Sequence, residues 1–184
     1  MSETTKMVQP MQVLVLRALP GCSGCRICEK VCSIKHYAAI NPEKSRIRVH
    51  QFYPGPIDVP IVCQYCEDRP CVGACPSGAL TYDDQSFQLK VDTKLCEGKK
   101  NCGICNQACI NAGRGGCITF HPGESDHAQI CDLCDGAPEC VKYCPSDTLK
   151  FMQATPLAKR LAEPPEVIAD RLAEQFHPTK RKLW

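Results

Sequence analysis

The sequence predicts an α+β fold built from a repeated unit of a cysteine loop, a short helix and a strand. Three observations lead to this fold class. Seventeen of the 184 residues are cysteine, and sixteen of them fall into four similar runs. Short stretches between the runs alternate apolar and polar residues, as strands do. Few large apolar residues remain, so the groups that the cysteines bind are expected to act as the core.

Two of the strands are predicted from period-two alternation in the first third of the chain. Residues 11–19 (MQVLVLRAL) and 45–52 (SRIRVHQF) both alternate in this way. In the second stretch, Ile47 and Val49 fall on the same face. We therefore expect a strand before the first cysteine run and another between the first and second runs.

Later strands recur at fixed places relative to the cysteines. Residues 79–92 (ALTYDDQSFQLKVD) predict a hairpin that turns between Asp83 and Ser86. The stretches CITF and TLKFM follow the third and fourth runs as ALTY follows the second. This recurrence defines the repeated unit.

The cysteines form four runs, each of which ends with a gap of three residues. The runs are Cys22, Cys25, Cys28 and Cys32; Cys63, Cys66, Cys71 and Cys75; Cys96, Cys102, Cys105 and Cys109; and Cys131, Cys134, Cys140 and Cys144. Cys117 lies outside them, at the entry to a predicted strand, and is expected to be a small buried apolar residue.

The runs follow the pattern of cysteines that ligate 4Fe–4S clusters in bacterial ferredoxins, C-x2-C-x2-C-x3-C-P, with the loop length varied in runs two to four. Two runs continue into proline, at Pro76 and Pro145. Three cysteines on a tight loop hold three irons, while the fourth lies on the next helical turn and ligates the neighbouring cluster, so runs work in pairs. The third run is the weakest match, because EGKKN widens its first gap to five residues. Four 4Fe–4S clusters are therefore predicted.

Zinc and disulfides are the alternatives to iron–sulfur clusters. Structural zinc uses two cysteine pairs separated by a loop, which leaves the closing cysteine of each run unexplained. A disulfide-rich secreted chain should begin with a basic and then apolar leader, whereas residues 1–10 (MSETTKMVQP) are polar. We therefore expect a reducing, cytoplasmic location.

Composition and motifs exclude several other classes of function. Net charge is +2, from 22 basic and 20 acidic side chains, which indicates no nucleic-acid binding. No stretch approaches the roughly 18 to 20 apolar residues of a membrane span, so direct membrane insertion is not expected. We find no paired nucleophile and base, no nucleotide loop and no paired histidine spacing, so the chain is expected to be non-catalytic.

The runs, together with CPSGAL and the closing CDLC…PECVKYCP, resemble the four-cluster ferredoxin-type electron-transfer subunits that accompany molybdenum and tungsten enzymes. The resemblance covers residues 11–152 and implies two nested ferredoxin-like folds, with runs one and four outside and runs two and three inside. Spacing supports the inner pairing without excluding a pairing of runs three and four. The resemblance implies these ligand sets: Cys22, Cys25, Cys28 and Cys144; Cys131, Cys134, Cys140 and Cys32; Cys63, Cys66, Cys71 and Cys109; and Cys96, Cys102, Cys105 and Cys75.

The same resemblance implies the function and the partners. In its short length and its lack of a twin-arginine leader, the chain is most similar to the small subunits that accompany tungsten aldehyde oxidoreductases and benzoyl-CoA reductases. It implies transfer of single electrons, in anaerobic metabolism, between a tungsten or molybdenum catalytic subunit and a flavin subunit, an NAD-binding subunit or a ferredoxin. The alternatives are a subunit of a hydrogenase or formate dehydrogenase complex, or a non-redox zinc-binding interaction module.

Residues 155–184 contain no cysteine and predict a helical tail. Ile168, Leu172 and Phe176 recur every four residues and form an apolar stripe. We expect the stripe to dock on a partner or on another copy of the chain, where a head-to-tail contact builds a filament. Phe176 and Trp184 are the expected anchors. The alternative is that the stripe covers the chain's own domain.

Four basic residues, Lys35, Lys99, Lys100 and Arg114, lie near the predicted cluster loops. Each is predicted either to be ordinary surface charge or to raise cluster potentials and attract an acidic partner.

Overall fold

A computed structural model of the chain describes residues 12–16, 21–52, 57–83, 88–121, 125–153 and 164–176. The strands in these ranges are β1 (Gln12–Leu16), β2 (Arg48–Phe52), β3 (Ile57–Ile61), β4 (Leu80–Asp83), β5 (Gln88–Val91), β6 (Thr119–His121), β7 (Ser125–Gln129) and β8 (Leu149–Gln153). The α-helices are α1 (Ile27–Tyr37), α2 (Pro70–Gly73), α3 (Gly98–Asn101), α4 (Ile104–Asn111), α5 (Glu139–Lys142) and α6 (Pro165–Phe176).

Within the described ranges, the strands form antiparallel two-stranded ribbons. Three ribbons are made by consecutive strands, β2 with β3, β4 with β5 and β6 with β7, and each lies between two successive cysteine runs. The fourth joins the beginning of the chain to its end, because β1 pairs with β8. These small sheets and short helices confirm the α+β class.

The predicted strands are present. β1 lies within residues 11–19 and β2 within residues 45–52, while β6 and β8 overlap the stretches that follow the third and fourth runs. The predicted hairpin is formed by β4 and β5, with Leu80 opposite Val91 and Asp83 opposite Gln88. The turn itself lies outside the described residues.

Each cysteine run leads into a helix. α1 and α4 each carry the third and fourth cysteines of their run, whereas α2 and α5 are single turns that end just before the fourth cysteine. Pro70 opens α2, where its fixed φ suits the first helical position. α1 packs against α5, and α2 packs against α4. The first run is thereby brought to the fourth, and the second to the third.

Cysteines make up a large part of the core. The buried cysteines are Cys28, Cys32, Cys63, Cys71, Cys105, Cys109, Cys117, Cys131 and Cys140. They pack with apolar side chains of the strands, among them Ile47, Val49, Leu80 and Leu149. Ile47 and Val49 are both buried, which confirms that they share one face of β2.

The C-terminal helix α6 packs against β3. Ile168, Ala169 and Leu172 are buried with Ile57 and Val59 in a second, smaller core. The apolar stripe is thus covered by the chain's own domain at Ile168 and Leu172, and these two residues are not available to another chain.

Other parts of the predicted tail differ from this buried face. The third member of the stripe, Phe176, is 55% exposed. Trp184, the other expected anchor, lies outside the described residues.

No helix in the described part of the chain has the length and apolar character needed to cross a membrane.

Candidate metal centres

All seventeen cysteines are free thiols, and three groups of them line cavities. Each cavity is lined by three cysteines of one run and the last cysteine of another. One cavity is lined by Cys63, Cys66, Cys71 and Cys109, together with Cys117. A second is lined by Cys96, Cys102, Cys105 and Cys75. A third is lined by Cys131, Cys134, Cys140 and Cys32.

The remaining group forms around the loop of the first run. Burial raises the pKa of Cys22, and the negative charge of Asp58 adds to this rise. Cys25 and Cys144 raise it further, because both lie close enough to interact electrostatically. The last cysteine of the fourth run therefore lies beside the first run, more than a hundred residues away in sequence.

A glycine allows the first loop to take its shape. Gly24 has a φ of +66°, and a Cβ atom there would lie 2.5 Å from Oδ2 of Asp58. Its backbone N–H donates a hydrogen bond to Sγ of Cys22 at 3.4 Å. A side chain at this position therefore conflicts with both the backbone conformation and the neighbouring carboxylate.

The wide gap in the third run is taken up by a helical turn. EGKKN contributes α3, and the N–H of Lys100 donates to Oδ2 of Asp126 at 2.8 Å. Gly98 has a φ of +74°, and a Cβ atom there would lie 2.7 Å from the carbonyl oxygen of Asp126. Because the insertion is packed away in this turn, Cys96 and Cys102 still line one cavity.

Without a nearby positive charge, the buried thiols remain protonated. Burial is the main cause that raises the pKa of Cys28, Cys105 and Cys131 to about 12 each, and other cysteines of the same groups add to it. Several thiolates this close together need a cation to neutralise them, and binding of a metal displaces their protons. The groups therefore suit thiolate ligation of metal.

The last cysteines of the second and fourth runs have different surroundings. Burial acts to raise the pKa of Cys75 and Cys144, but hydrogen bonds outweigh it and the pKa is lowered. The donors are backbone N–H groups and the hydroxyls of Ser77 and Ser146, each with Oγ 3.7 Å from the sulfur. Hydrogen bonds of this kind orient and tune a metal ligand.

Two arginines provide an independent test of whether iron–sulfur clusters fit. Arg114 lines the cavity of the second run, and Arg46 lines that of the fourth. The Nε atom of each is buried and has no hydrogen-bond partner among the described residues. A buried donor without an acceptor is costly. A sulfur atom of a bound cluster is an acceptor, so the donor set and its surroundings fit this group.

Polar residues beside the fourth run were not predicted from the sequence. His36 Nε2 lies 4.0 Å from Sγ of Cys134 and 3.5 Å from Oδ1 of Asp132. Nη1 of Arg46 is 2.5 Å from Oδ2 of the same aspartate. One signal was present: His36 follows Cys32 by four residues on α1, a spacing that places both on one helical face.

The sequence contains no such signal for a buried carboxylate that lies beside the first run. Glu29 is 2% exposed and accepts a hydrogen bond from the N–H of Val49 at 2.8 Å. It follows Cys28 directly, and its negative charge adds to the raised pKa of that thiol.

No family model matches the chain. The polyferredoxin-like subunit of aliphatic sulfonate oxidoreductase from Pyrococcus furiosus is 40% identical, over 84% of this chain and 87% of that protein. The electron transport protein HydN of Escherichia coli K12 is 29% identical, over 83% of this chain and 95% of that protein. A chain of the active-site complex BamBC of benzoyl coenzyme A reductase is 23% identical, covering 91% of this chain and 92% of that chain, with a TM-score of 0.43, too low for a conclusion about function.

The groups of thiols and these relatives define an iron–sulfur protein that transfers electrons. The chain belongs to the polyferredoxin-like electron-transfer subunits of oxidoreductases, because 40% identity extends over most of both sequences. The function predicted from the four cysteine runs is confirmed at this level.

Proposed function

We propose that the chain binds four 4Fe–4S clusters and that each cluster takes its fourth ligand from another run. The observation that carries this proposal is the composition of the three cavities, each lined by three cysteines of one run and one of its partner. The sets are Cys22, Cys25, Cys28 with Cys144; Cys131, Cys134, Cys140 with Cys32; Cys63, Cys66, Cys71 with Cys109; and Cys96, Cys102, Cys105 with Cys75.

Residues 11–152 then form two nested ferredoxin-like units. The pairing of β1 with β8 and the packing of α1 against α5 support an outer unit made from runs one and four. The packing of α2 against α4, with the β4–β5 hairpin between their runs, supports an inner unit made from runs two and three.

The four sites lie in series in this proposal. Burial and the other cysteines of the fourth site raise the pKa of Cys140, and Cys28 of the first site lies close enough to raise it further. In the same way, burial raises the pKa of Cys63 of the second site, and Cys131 of the fourth site adds to this rise. The third site follows, because α4 carries Cys105 of the third site and Cys109 of the second. The order is first, fourth, second, third.

The partner is proposed to be the catalytic subunit of an oxidoreductase, with a tungsten or molybdenum cofactor, in a cytoplasmic complex. The family and the Pyrococcus relative, which is a subunit of an oxidoreductase, support the kind of partner. The choice of metal rests on the resemblance of the cysteine pattern. At the other end of the series, a flavin or NAD-binding subunit or a ferredoxin exchanges electrons. Each bound cluster supplies one-electron redox chemistry, and the chain fixes its position and tunes its potential.

Anaerobic electron paramagnetic resonance tests the proposed cofactors. The chain, purified without oxygen and fully reduced with dithionite, should give signals that integrate to about four spins, one for each cluster. Replacing Cys105 by serine should remove or alter the signal of a single cluster, whereas replacing the non-ligand Cys117 by serine should leave four. A reduced chain without any such signal contradicts the proposal.

A further inference from the structure

The four proposed cluster sites differ in the charged side chains around them. Two acidic residues, Glu29 and Asp58, lie beside the first site, and two basic residues, Arg69 and Arg114, line the second. An acidic residue, Glu97, lines the third site, and an ion pair, Arg46 with Asp132, lines the fourth.

We propose that Arg69 and Arg114 give the cluster of the second run the highest potential of the four, so that the first electron entering the chain resides there. This inference rests on the proposed four-cluster function and adds the order of the potentials. Adding an electron to a cluster adds negative charge, so nearby positive charge and hydrogen bonds to the ligating sulfurs raise its potential.

Arg114 is placed to act on two ligands of this site. It lines the same cavity as Cys66 and Cys109, and its backbone N–H donates a hydrogen bond to the carbonyl oxygen of Cys109 at 3.0 Å. Its buried Nε has no partner among the described residues and so has a hydrogen bond left to donate. A charge held in buried surroundings acts more strongly than one in water.

Arg69 lies on another part of the same cavity wall. Its guanidinium carbon is 3.4 Å from the centre of the Tyr82 ring, which also lines the cavity. Stacking on an aromatic face holds a guanidinium in place. The second positive charge is therefore fixed beside the site.

Cys109 receives additional stabilisation as a thiolate. It accepts a hydrogen bond from the N–H of Cys117 at 3.4 Å. The Cys117 thiol itself donates to the carbonyl oxygens of Val62 and Arg114, which holds this segment against the sulfur. The groups that stabilise negative charge on this sulfur also stabilise the reduced cluster to which it is bound.

At the first site the buried charges are acidic, and at the fourth Arg46 is paired with Asp132. At the third site Glu97, Lys99 and Lys100 are all exposed, so solvent screens them. Glu29 is buried beside Cys28, and its partner Arg26 is 53% exposed with its Nη1 atom 3.9 Å from the carboxylate. Near the second site the opposing charges are Glu67 and Asp68, which directly follow Cys66. Both are exposed, so solvent and salt screen them more than the half-buried arginines.

Redox titration of the full chain, followed by electron paramagnetic resonance under anaerobic conditions, tests the proposal. In Arg114→Gln, the signal that appears first on reduction should move to lower potential by about 59 mV or more, a tenfold change in a one-electron equilibrium. Arg69→Gln should move the same signal in the same direction. The control is Arg171→Gln, which removes the same charge from an exposed position on α6 and should leave all potentials unchanged.

The outcomes separate this inference from the proposed function. If four clusters are present but neither arginine variant moves the first signal, or both move a later one, the order of potentials is overturned. If the unmodified chain lacks four clusters, the proposed function itself fails. Should Arg114→Gln lose iron, Arg69→Gln decides the question, because it is expected to lower the same potential without removing a ligand.

Discussion

The hydroxyl group of Tyr65 donates a hydrogen bond to the backbone carbonyl of Cys131, and this contact joins the second cysteine run to the fourth. Tyr65 is 5% exposed. Its pKa is raised above the ordinary range by burial, and the charges of Cys131 and Cys63 add to the rise. Tyr65 therefore lies between the fourth and second sites, where the proposed outer and inner units meet.

Tyr65→Phe should destabilise the chain while keeping the ring in place. It leaves the buried carbonyl of Cys131 without this donor, which should lower the free energy of unfolding by about 1 to 3 kcal/mol. Anaerobic urea denaturation measures the change. Tyr143, 51% exposed, offers the control Tyr143→Phe, with an expected change within about 0.5 kcal/mol. Equal effects of the two substitutions contradict a structural role for the Tyr65 hydroxyl.

Leu172→Ala should reveal that α6 stabilises its own domain. Leu172 is buried against β3, so the substitution should cost about 2 to 5 kcal/mol of stability. Val167, on the same helix but 38% exposed, provides the control Val167→Ala, which should change stability little. The measurement is thermal unfolding of the chain with its clusters bound. An unchanged stability together with weaker complex formation shows instead that this face docks on another chain.

Phe176→Ala tests what remains of the docking role expected for the tail. Because Phe176 is 55% exposed, its removal should leave the stability of the isolated chain unaltered. If it anchors a contact with the catalytic subunit or another copy, that association should weaken by about 1 to 4 kcal/mol. Isothermal titration and light scattering measure it, with Gln175→Ala as the exposed control. Unchanged affinity and mass eliminate Phe176 as an anchor.

The crossed ligand sets predict a long-range effect of Cys144→Ser. The substitution should perturb the spectrum of the cluster held by Cys22, Cys25 and Cys28, because the fourth ligand comes from the other run. Cys32→Ser should perturb the fourth-run cluster reciprocally. Electron paramagnetic resonance distinguishes the two signals. A change confined to the cluster of the substituted cysteine's own run refutes the crossing.

A buried histidine should make stability depend on pH. Burial lowers the pKa of His121, and the positive charge of Arg48 adds to this. In the unfolded chain a histidine titrates at about 6.5. As pH falls below that value the unfolded state binds protons that the folded state does not, so stability is full above it and declines toward the lower folded pKa.

His121→Phe provides the check on this pH dependence. His121 is 3% exposed and lies edge-on to Tyr37, with ring centroids 5.2 Å apart, so an aromatic replacement suits the site. Between pH 7.5 and about 5.5 the melting temperature of the variant should fall less steeply than that of the unmodified chain. Iron content is measured at each pH to exclude loss of clusters. Identical slopes count against a contribution from His121.

Apolar and polar alternation was sufficient to predict the short strands, and the cysteine spacing indicated which cysteines of a run share one loop, because ligand geometry within a run is local. The surroundings of the sites were not predictable in this way. Asp132, Glu29 and Tyr65 act through contacts that the fold creates between distant segments, and the sequence contains no periodic signal for them. The tail shows the same limit: the four-residue spacing of Ile168 and Leu172 indicates that a face is covered, but only the structure identifies β3 as its cover.

Iron, sulfide and zinc content of the anaerobically purified chain tests the central claim most directly. Four cubane clusters predict about 16 iron and about 16 sulfide per chain, no stoichiometric zinc, and a brown protein that absorbs broadly near about 400 nm. A value near 12 iron removes one cluster, and the third run, with its widened first gap, is the first to be questioned. A colourless chain that contains zinc and no sulfide contradicts the account.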